Sequence, residues 1–150
     1  MVDLRMKLYT YLVAGALGIA ASAPAMAKEV VIQMKNQGAA GMMVFEPAFV
    51  KVGVGDSIRF VPTDKSHNVE SMPEILPTGA TPVAGKMNQE LVVKFEKGGV
   101  YGFKCKPHYS MGMVALVQVG SKPSNLAAAK AAKLPGLAQK RMSGLWPSVK

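Results

Sequence analysis

The sequence predicts an all-β protein, an antiparallel sandwich or barrel, that ends in a short helical extension. Two observations lead to this fold class. Between residues 29 and 119 the chain consists of short runs rich in Val, Phe and Ile, bounded by Gly, Pro, Asn and Asp, which is the pattern of strands joined by turns. After Gly120 alanine and lysine, which favour helix, become frequent. The 150 residues suffice for one domain with a single core.

The first 27 residues have the plan of a secretory signal peptide. Arg5 and Lys7 precede an uncharged apolar run at about residues 8–21, and an A-x-A-like cleavage site ends at Ala27. A transmembrane anchor is the alternative, but the apolar run is shorter than the roughly 20 residues that a helical span needs. We therefore expect removal after Ala27 and no membrane insertion of the mature chain.

The strand region contains six candidate strands. They cover residues 30–35, 49–52, 57–62, 90–95, 100–105 and 114–119. In the third run Ile58 and Phe60 alternate with polar neighbours, as in a half-buried strand. The long connection at residues 72–87 is interrupted by prolines and glycines, so we expect an irregular loop with one helical turn at 74–76.

The C-terminal region predicts two helical segments. The first covers residues 124–133, with Ser124 as its N-cap and Pro135 beyond its end, and the second covers about 137–142. One apolar face of the first helix is expected to pack on the sandwich, and a solvated tail is the alternative. The predicted organisation is thus a signal at 1–27, a sandwich at 28–120 and a helical extension at 121–150.

Four side chains form a candidate metal site. The only cysteine, Cys105, is followed by His108 and Met113, and the other of the two histidines is His67. Two imidazoles, a thiolate and a weak axial thioether are the donors of blue-copper sites. A Cys-x-x-His pair alone also occurs in zinc sites, and a buried structural thiol is a further alternative. An unpaired thiol in an exported protein is a liability unless a metal holds it.

The predicted strands place these donors on a rigid scaffold. Cys105 closes the strand at 100–105 and Met113 precedes the strand at 114–119, so residues 106–112 form a loop between two strands. His67 reaches the site from the end of another strand. Ligands on rigid elements move little between oxidation states, which is what an electron carrier needs.

Several stretches make the chain resemble the cupredoxins, the small blue-copper electron-transfer proteins. They are MVFEP at 43–47, GD at 55–56, DKSHNVE at 64–70, GVYGFKC at 99–105 and PHYSMGM at 107–113. The plastocyanins share the Cys-x-x-His-x-x-x-x-Met spacing, but they stop at the last strand. The helical extension makes the chain similar to the pseudoazurin branch, which implies a Greek-key β-sandwich with two C-terminal α-helices.

The resemblance implies a role for each donor. His67, Cys105 and His108 would bind one copper ion, Cu(I) or Cu(II), in a near-trigonal plane, and Met113 would be its long axial ligand. Met111 is the rival for the axial position, but in the family's pattern it points away from the metal.

The resemblance also implies supporting residues around the ligands. Asn68 would hydrogen-bond across to the ligand loop near Lys106, a brace of the kind that tunes a metal site. Met43 is expected near His108 without binding copper. Pro107 removes a backbone donor near the thiolate, which should shift the reduction potential.

The positive charge of the chain favours acidic protein partners. A formal net charge of +9 attracts acidic surfaces and speeds encounter. We expect Lys35, Lys65, Lys104 and Lys106 to surround an apolar patch that includes Met111. By resemblance the partners are c-type cytochromes and a copper nitrite reductase in the periplasm, met by a monomer. An exported chain without a base-reading motif is not expected to bind nucleic acid.

Two other functions use the same residues. In a hydrolase Cys105 would be the nucleophile and His67 or His108 the base. No oxyanion loop is evident, however, and Met113 and the second histidine would have no role, so we do not expect the protein to be an enzyme. A copper-storage or copper-delivery protein would use the same donors with an exchangeable site.

Overall fold

The computed structural model describes residues 26–150, so the predicted signal peptide lies almost entirely outside the described residues. Within residues 26–150 no helix is long and apolar enough to cross a membrane. Two helical turns of 3-10 type cover Pro73–Ile75 and Trp146–Ser148. The strands and α-helices are β1 (Glu29–Gly38), β2 (Gly41–Glu46), β3 (Phe49–Val52), β4 (Ser57–Pro62), β5 (Glu70–Ser71), β6 (Leu91–Lys94), β7 (Gly99–Lys104), β8 (Val114–Val119), α1 (Leu126–Ala131) and α2 (Gly136–Leu145).

The strands form two four-stranded sheets, in the orders β2-β1-β4-β6 and β3-β8-β7-β5. This confirms the all-β fold class. The predicted antiparallel pairing holds for four of the six strand pairs within residues 26–150, whereas β1 pairs with β4 and β3 pairs with β8 in parallel. Strands β1 and β4 run in the same direction since the chain crosses to the other sheet through β3 between them. Parallel partners always require such a crossover, whereas antiparallel partners need only a hairpin.

Strand bounds agree best where turn-forming residues directly follow the apolar run. The structure has β3, β4 and β8 at the predicted residues, whereas β1 extends to Gly38, beyond its predicted end. Two strands, β2 and the two-residue β5, were not predicted from the sequence. Strand β2 begins GMM, which lacks β-branched residues, and Met43 there has a positive φ of 51°. Such a segment carries little of the composition by which strands are predicted.

The main core lies between the two sheets. Its largest fully buried side chains are the aromatic rings of Phe45, Phe60, Phe95 and Phe103. Phe60 and Phe103 face each other from opposite sheets with ring centroids 4.9 Å apart. Cys105 belongs to this same cluster. The candidate metal site therefore adjoins the main core.

A second cluster covers the outer face of β7 and β8. All six residues of β8 are buried, because alternate side chains face the other sheet and the helices. Leu116 packs with Ala129 of α1 and with Ala138 and Met142 of α2. The extension thus packs on the sandwich.

The predicted N-cap at Ser124 is wrong. Asn125 occupies the N-cap position of α1, and its side chain makes no capping hydrogen bond. Instead its amide bonds both backbone groups of Val100, accepting from the N–H at 2.8 Å and donating to the carbonyl at 2.9 Å. This side chain satisfies β7 where the short partner strand β5 does not reach.

Candidate metal centre

The ligand loop leaves β7 at Cys105 and enters β8 after Met113. These two residues continue the antiparallel ladder, because the Cys105 N–H donates to the Met113 carbonyl at 3.0 Å. The His108 N–H donates to the Cys105 carbonyl and the Met113 N–H donates to the His108 carbonyl, both at 3.2 Å. The loop is closed by its own backbone, so the three donor residues keep fixed relative positions.

His67 lies in the connection between β4 and β5 and is fully buried. Asn88 holds this connection at two points. Its side-chain oxygen accepts from the Ser66 N–H at 2.6 Å, and its own N–H donates to the His67 carbonyl at 2.8 Å. Ser66 has a positive φ of 72°, a strained conformation for a residue with a side chain that must be held by its surroundings. Asn88 thus fixes His67, although sequence reasoning missed it.

Three donor atoms converge where the loop and this connection meet. Nδ1 of His67 lies 3.1 Å from Nδ1 of His108. The Cys105 Sγ lies 3.6 Å from Nδ1 of His67 and 3.5 Å from Nδ1 of His108. The structure thus brings together three of the four predicted ligands through one atom each.

This arrangement fits a single bound metal ion. Bonds of about 2.0 Å to nitrogen and 2.3 Å to sulfur place neighbouring ligand atoms about 3–4 Å apart, and the three observed separations lie in that range. Two imidazole lone pairs that face each other repel unless a proton or a cation lies between them. The soft donor set of two imidazoles and a thiolate suits copper.

Asn36 fixes which nitrogen of His67 is available. Its side-chain oxygen lies 2.9 Å from Nε2 of His67, so it accepts the ring N–H and leaves Nδ1 with a lone pair toward Cys105. The Asn36 backbone is itself held, because its N–H donates to the Asp64 carboxylate at 2.7 Å. Asn36 could not be found from the sequence, because it lies 31 residues before His67, on β1.

Asn68 makes the contact that the sequence predicts. Its side-chain oxygen accepts from the Lys106 N–H at 2.8 Å, and its amide donates to Glu70 and to the Gly85 carbonyl. Asn68 is buried, and so it ties the His67 connection to the ligand loop on the side of Cys105.

Burial sets the protonation of the two inner donors. Burial raises the pKa of the Cys105 thiol, and the backbone N–H groups of Asn68 and His108 lower it by a smaller amount. Burial also lowers the pKa of His67, helped by the nearby His108 and opposed by Asp64. His67 is therefore neutral and able to coordinate, while the thiol must lose its proton on metal binding. A buried thiol with a raised pKa is a poor nucleophile, which argues against the hydrolase.

The structure separates the two candidate axial methionines. Met113 is fully buried in the same cluster as Cys105, whereas Met111 is 39% exposed. Met43 is half-buried and packs against that cluster. Pro107 is exposed, beside the half-buried His108.

The predicted docking lysines differ in their surroundings. Lys65 and Lys106 are exposed. Lys104 places its ammonium 4.9 Å from the centre of the Tyr109 ring, and Lys35 forms an ion pair with Glu46 that offsets its charge.

Residues 32–120 match the family of copper binding proteins described as the plastocyanin/azurin family. The pseudoazurin of Methylorubrum extorquens is 54% identical over 134 residues, which cover 89% of this chain and 90% of that protein. The chain belongs to the pseudoazurins. A pseudoazurin from Paracoccus pantotrophus is 52% identical, covering 86% of this chain and 89% of the relative.

Solved pseudoazurins share the fold over most of this chain. The crystal structure from Methylobacterium extorquens matches with a TM-score of 0.79 and 55% identity, covering 81% of this chain and 99% of that one. The structure from Hyphomicrobium denitrificans gives 0.78 and 53%, covering 81% and 98%. As a pseudoazurin, the protein is a type 1 copper electron-transfer protein with one copper ion as cofactor, and it donates electrons to redox partners.

Proposed function

We propose that the protein is a periplasmic carrier of single electrons, in which His67, Cys105, His108 and Met113 hold the copper ion. The observation that carries this proposal is the convergence of two Nδ1 atoms and one Sγ within 4.8 Å of one another. The bound copper supplies a one-electron couple between Cu(II) and Cu(I). Met113 would be the fourth donor, because it is buried in the same cluster as Cys105 and ends the same loop.

The protein's own residues keep the site rigid and dry. His67, Cys105 and Met113 are fully buried, so water is excluded from three of the four donors. Only His108 is partly exposed, and its edge is the proposed route for the electron. Buried ligands on a loop closed by its own backbone also favour retention of the ion, which argues for an electron carrier over a storage or delivery protein.

The proposed docking surface is the rim around His108. Lys65 and Lys106 offer exposed charge there, Lys104 adds to it, and Met111 supplies an apolar centre. Lys35 contributes less, since Glu46 pairs with it. Such a surface suits acidic partners, for which we propose c-type cytochromes as donors and a copper nitrite reductase of denitrification as acceptor.

The proposal includes the maturation of the chain. Residues 1–27 would direct export to the periplasm and be removed, residues 28–120 would form the sandwich with the copper site, and residues 121–150 the packed extension. The mature protein is proposed to act as a monomer and not as an enzyme. Mass spectrometry of the periplasmic form tests the cleavage after Ala27, and sedimentation tests the monomer.

The ligand set is tested by visible absorption and EPR of the mature protein with one equivalent of Cu(II). An intense thiolate-to-copper band is expected, and it should vanish in Cys105→Ser. Met113→Gln should alter the spectrum while Met111→Gln, at the exposed rival position, should not. Absence of the band from the intact protein would refute the ligand set. Rapid loss of the ion to a chelator would instead favour storage or delivery.

The docking surface is tested by electron-transfer rates at low salt. Removing the charges of Lys65 and Lys104 by alanine substitution should slow transfer to an acidic partner. Lys97→Ala is the matched control, because Lys97 is exposed in the turn before β7, at the opposite end of that strand from Cys105. Equal rates in the double variant and in Lys97→Ala would remove the lysines from the mechanism.

A further inference from the structure

One arginine of the C-terminal helix contacts the ligand loop and β2 together. The guanidinium of Arg141, on α2, donates to the Met43 carbonyl at 2.7 Å and to the Gly112 carbonyl at 3.1 Å through Nη1. Its Nη2 donates to the Met42 carbonyl at 2.8 Å. These acceptors are neutral backbone groups, 98, 29 and 99 residues away in sequence.

The arginine is not placed there by an acidic partner. Among residues 26–150 no carboxylate oxygen lies within 4.0 Å of the Arg141 guanidinium. Hydrogen bonds from a charged donor are roughly twice as strong as neutral ones. Arg141 therefore makes charge-assisted hydrogen bonds to three backbone carbonyls, with no carboxylate among these residues to neutralise it.

Helix α2 gives Arg141 a fixed base. Ala138 and Met142, on the same helix, are fully buried in the cluster that also contains Leu116 of β8. The helix backbone approaches the ligand loop so closely that a Cβ on Gly112 would lie 3.0 Å from the Leu137 carbonyl oxygen and 2.9 Å from Cδ of Arg141.

The contact with Gly112 acts on the peptide group that leads into Met113. The carbonyl of that peptide accepts from Arg141, and its N–H, which belongs to Met113, donates to the His108 carbonyl at 3.2 Å. The peptide plane before the axial donor is thus held from both sides, by the helix and by the loop. Gly112 also has a φ of +83°, which few other residues adopt.

The contact with Met43 acts on a second strained position. Met43 has a φ of +51°, in the left-handed region that side chains disfavour. Because Arg141 binds the carbonyls of both Met42 and Met43, it holds this part of β2 in place against the cluster that contains Cys105.

We propose that Arg141 is a positioning residue of the copper centre. By holding the peptide before Met113, it sets how the thioether approaches the metal, and its unpaired charge favours the reduced state, which carries less positive charge. This is the contribution of α2 to electron transfer, and it rests on the proposed ligand set. A residue that only fastened the helix would affect stability alone.

The test compares three variants of the copper-loaded protein. Arg141→Lys keeps the charge and loses the planar fork, which a single ammonium cannot replace. Arg141→Gln loses the charge as well. Lys140→Gln is the matched control. Lys140 is exposed on the same helix, so its substitution removes one charge without removing a hydrogen bond to a carbonyl.

The readouts are the visible and EPR spectra of the Cu(II) form, the reduction potential and the copper affinity. Both Arg141 variants should change the relative intensities of the visible bands and lower the copper affinity by about 10-fold, the lower end of the loss on removing groups that orient metal ligands. Only Arg141→Gln should also show the lower potential expected from loss of charge. Lys140→Gln should match the wild type in all three.

The outcomes separate this inference from the proposed function. If the wild type shows no thiolate-to-copper band, the ligand set fails and this inference fails with it. If the wild type shows the band and both Arg141 variants share its spectra and affinity while melting at lower temperature, the inference alone is overturned. If the variants do not fold, the Cu(I) wild type decides by NMR, because slow exchange of the Arg141 guanidinium protons is expected and fast exchange overturns the inference.

Discussion

Substitution of Asn36 by alanine tests how the orientation of His67 depends on a distant side chain. The change removes the acceptor that lies 2.9 Å from Nε2 of His67. A buried donor without a partner costs about 1–3 kcal/mol, which corresponds to about 5- to 150-fold in an equilibrium constant. Asn36 itself is exposed, so water reaches part of the gap and the lower part of the range applies. We expect copper affinity to fall by about 10-fold.

The loss should appear in metal binding more than in folding. Without the acceptor the His67 ring can turn or carry its proton on Nδ1, and either change blocks the donor atom. Competition of the Cu(I) protein with a chelator of known affinity measures the first effect. Urea unfolding of the copper-free protein measures the second, which should stay below about 1 kcal/mol because water replaces part of the bond.

The matched control for this experiment is Gln37→Ala. Gln37 is the next residue of β1, is exposed, and its side chain bonds only the neighbouring Gly38 carbonyl at 3.5 Å. The Asn36 backbone stays bonded to Asp64 in both variants. Wild-type affinity in Asn36→Ala would refute the reasoning, and an equal loss in Gln37→Ala would assign the effect to the end of β1 as a whole.

Three further predictions concern the scaffold. Backbone N–H groups lower the pKa of Asp56 below its ordinary value of 3.8, so its stabilisation is present above that value and is lost as the pH falls through the folded pKa; Asp56→Asn should flatten the acid limb of stability measured by urea midpoints. Asn125→Ala leaves both backbone groups of buried Val100 without their side-chain partner, and urea unfolding should detect a loss of about 2–4 kcal/mol, whereas less than 1 would show that water replaces the amide. Gly112→Ala should cost about 2–5 kcal/mol against about 1–2 for Gly120→Ala, since both have positive φ but only the first Cβ meets neighbours; equal losses would mean that α2 yields.

The metal loop was accessible from the sequence because its information is local. Cys105, His108 and Met113 lie within nine consecutive positions, and the strands on either side are recognised by their β-branched and aromatic residues. The structure brings His67 to the same point as two of these donors. Strands β3, β4 and β8 could be bounded for the same reason, since their apolar pattern ends abruptly at turn residues.

What could not be predicted depends on contacts across the fold. Asn36 is 31 residues from its partner His67, and Arg141 is 98 residues from its partner Met43. No spacing or motif in the sequence indicates either pair. The parallel pairing of β1 with β4 likewise depends on which sheet the chain enters through β3. Ser124 and Asn125 are both common N-cap residues, so the sequence does not distinguish them. The contact that does is the hydrogen bond of the Asn125 side chain to Val100 on β7.

A chain with one cysteine can form no internal disulfide, yet the proposed copper site would link distant parts of its sequence as a disulfide does. His67 and Cys105 are 38 residues apart, and an ion bound to both closes that length of chain into a ring. A covalent link over the same length would reduce the entropy of the unfolded chain by an amount worth about 4 kcal/mol. Loading with copper should therefore act as a reversible cross-link, and its removal should loosen the two sheets where the connection between β4 and β5 meets the loop.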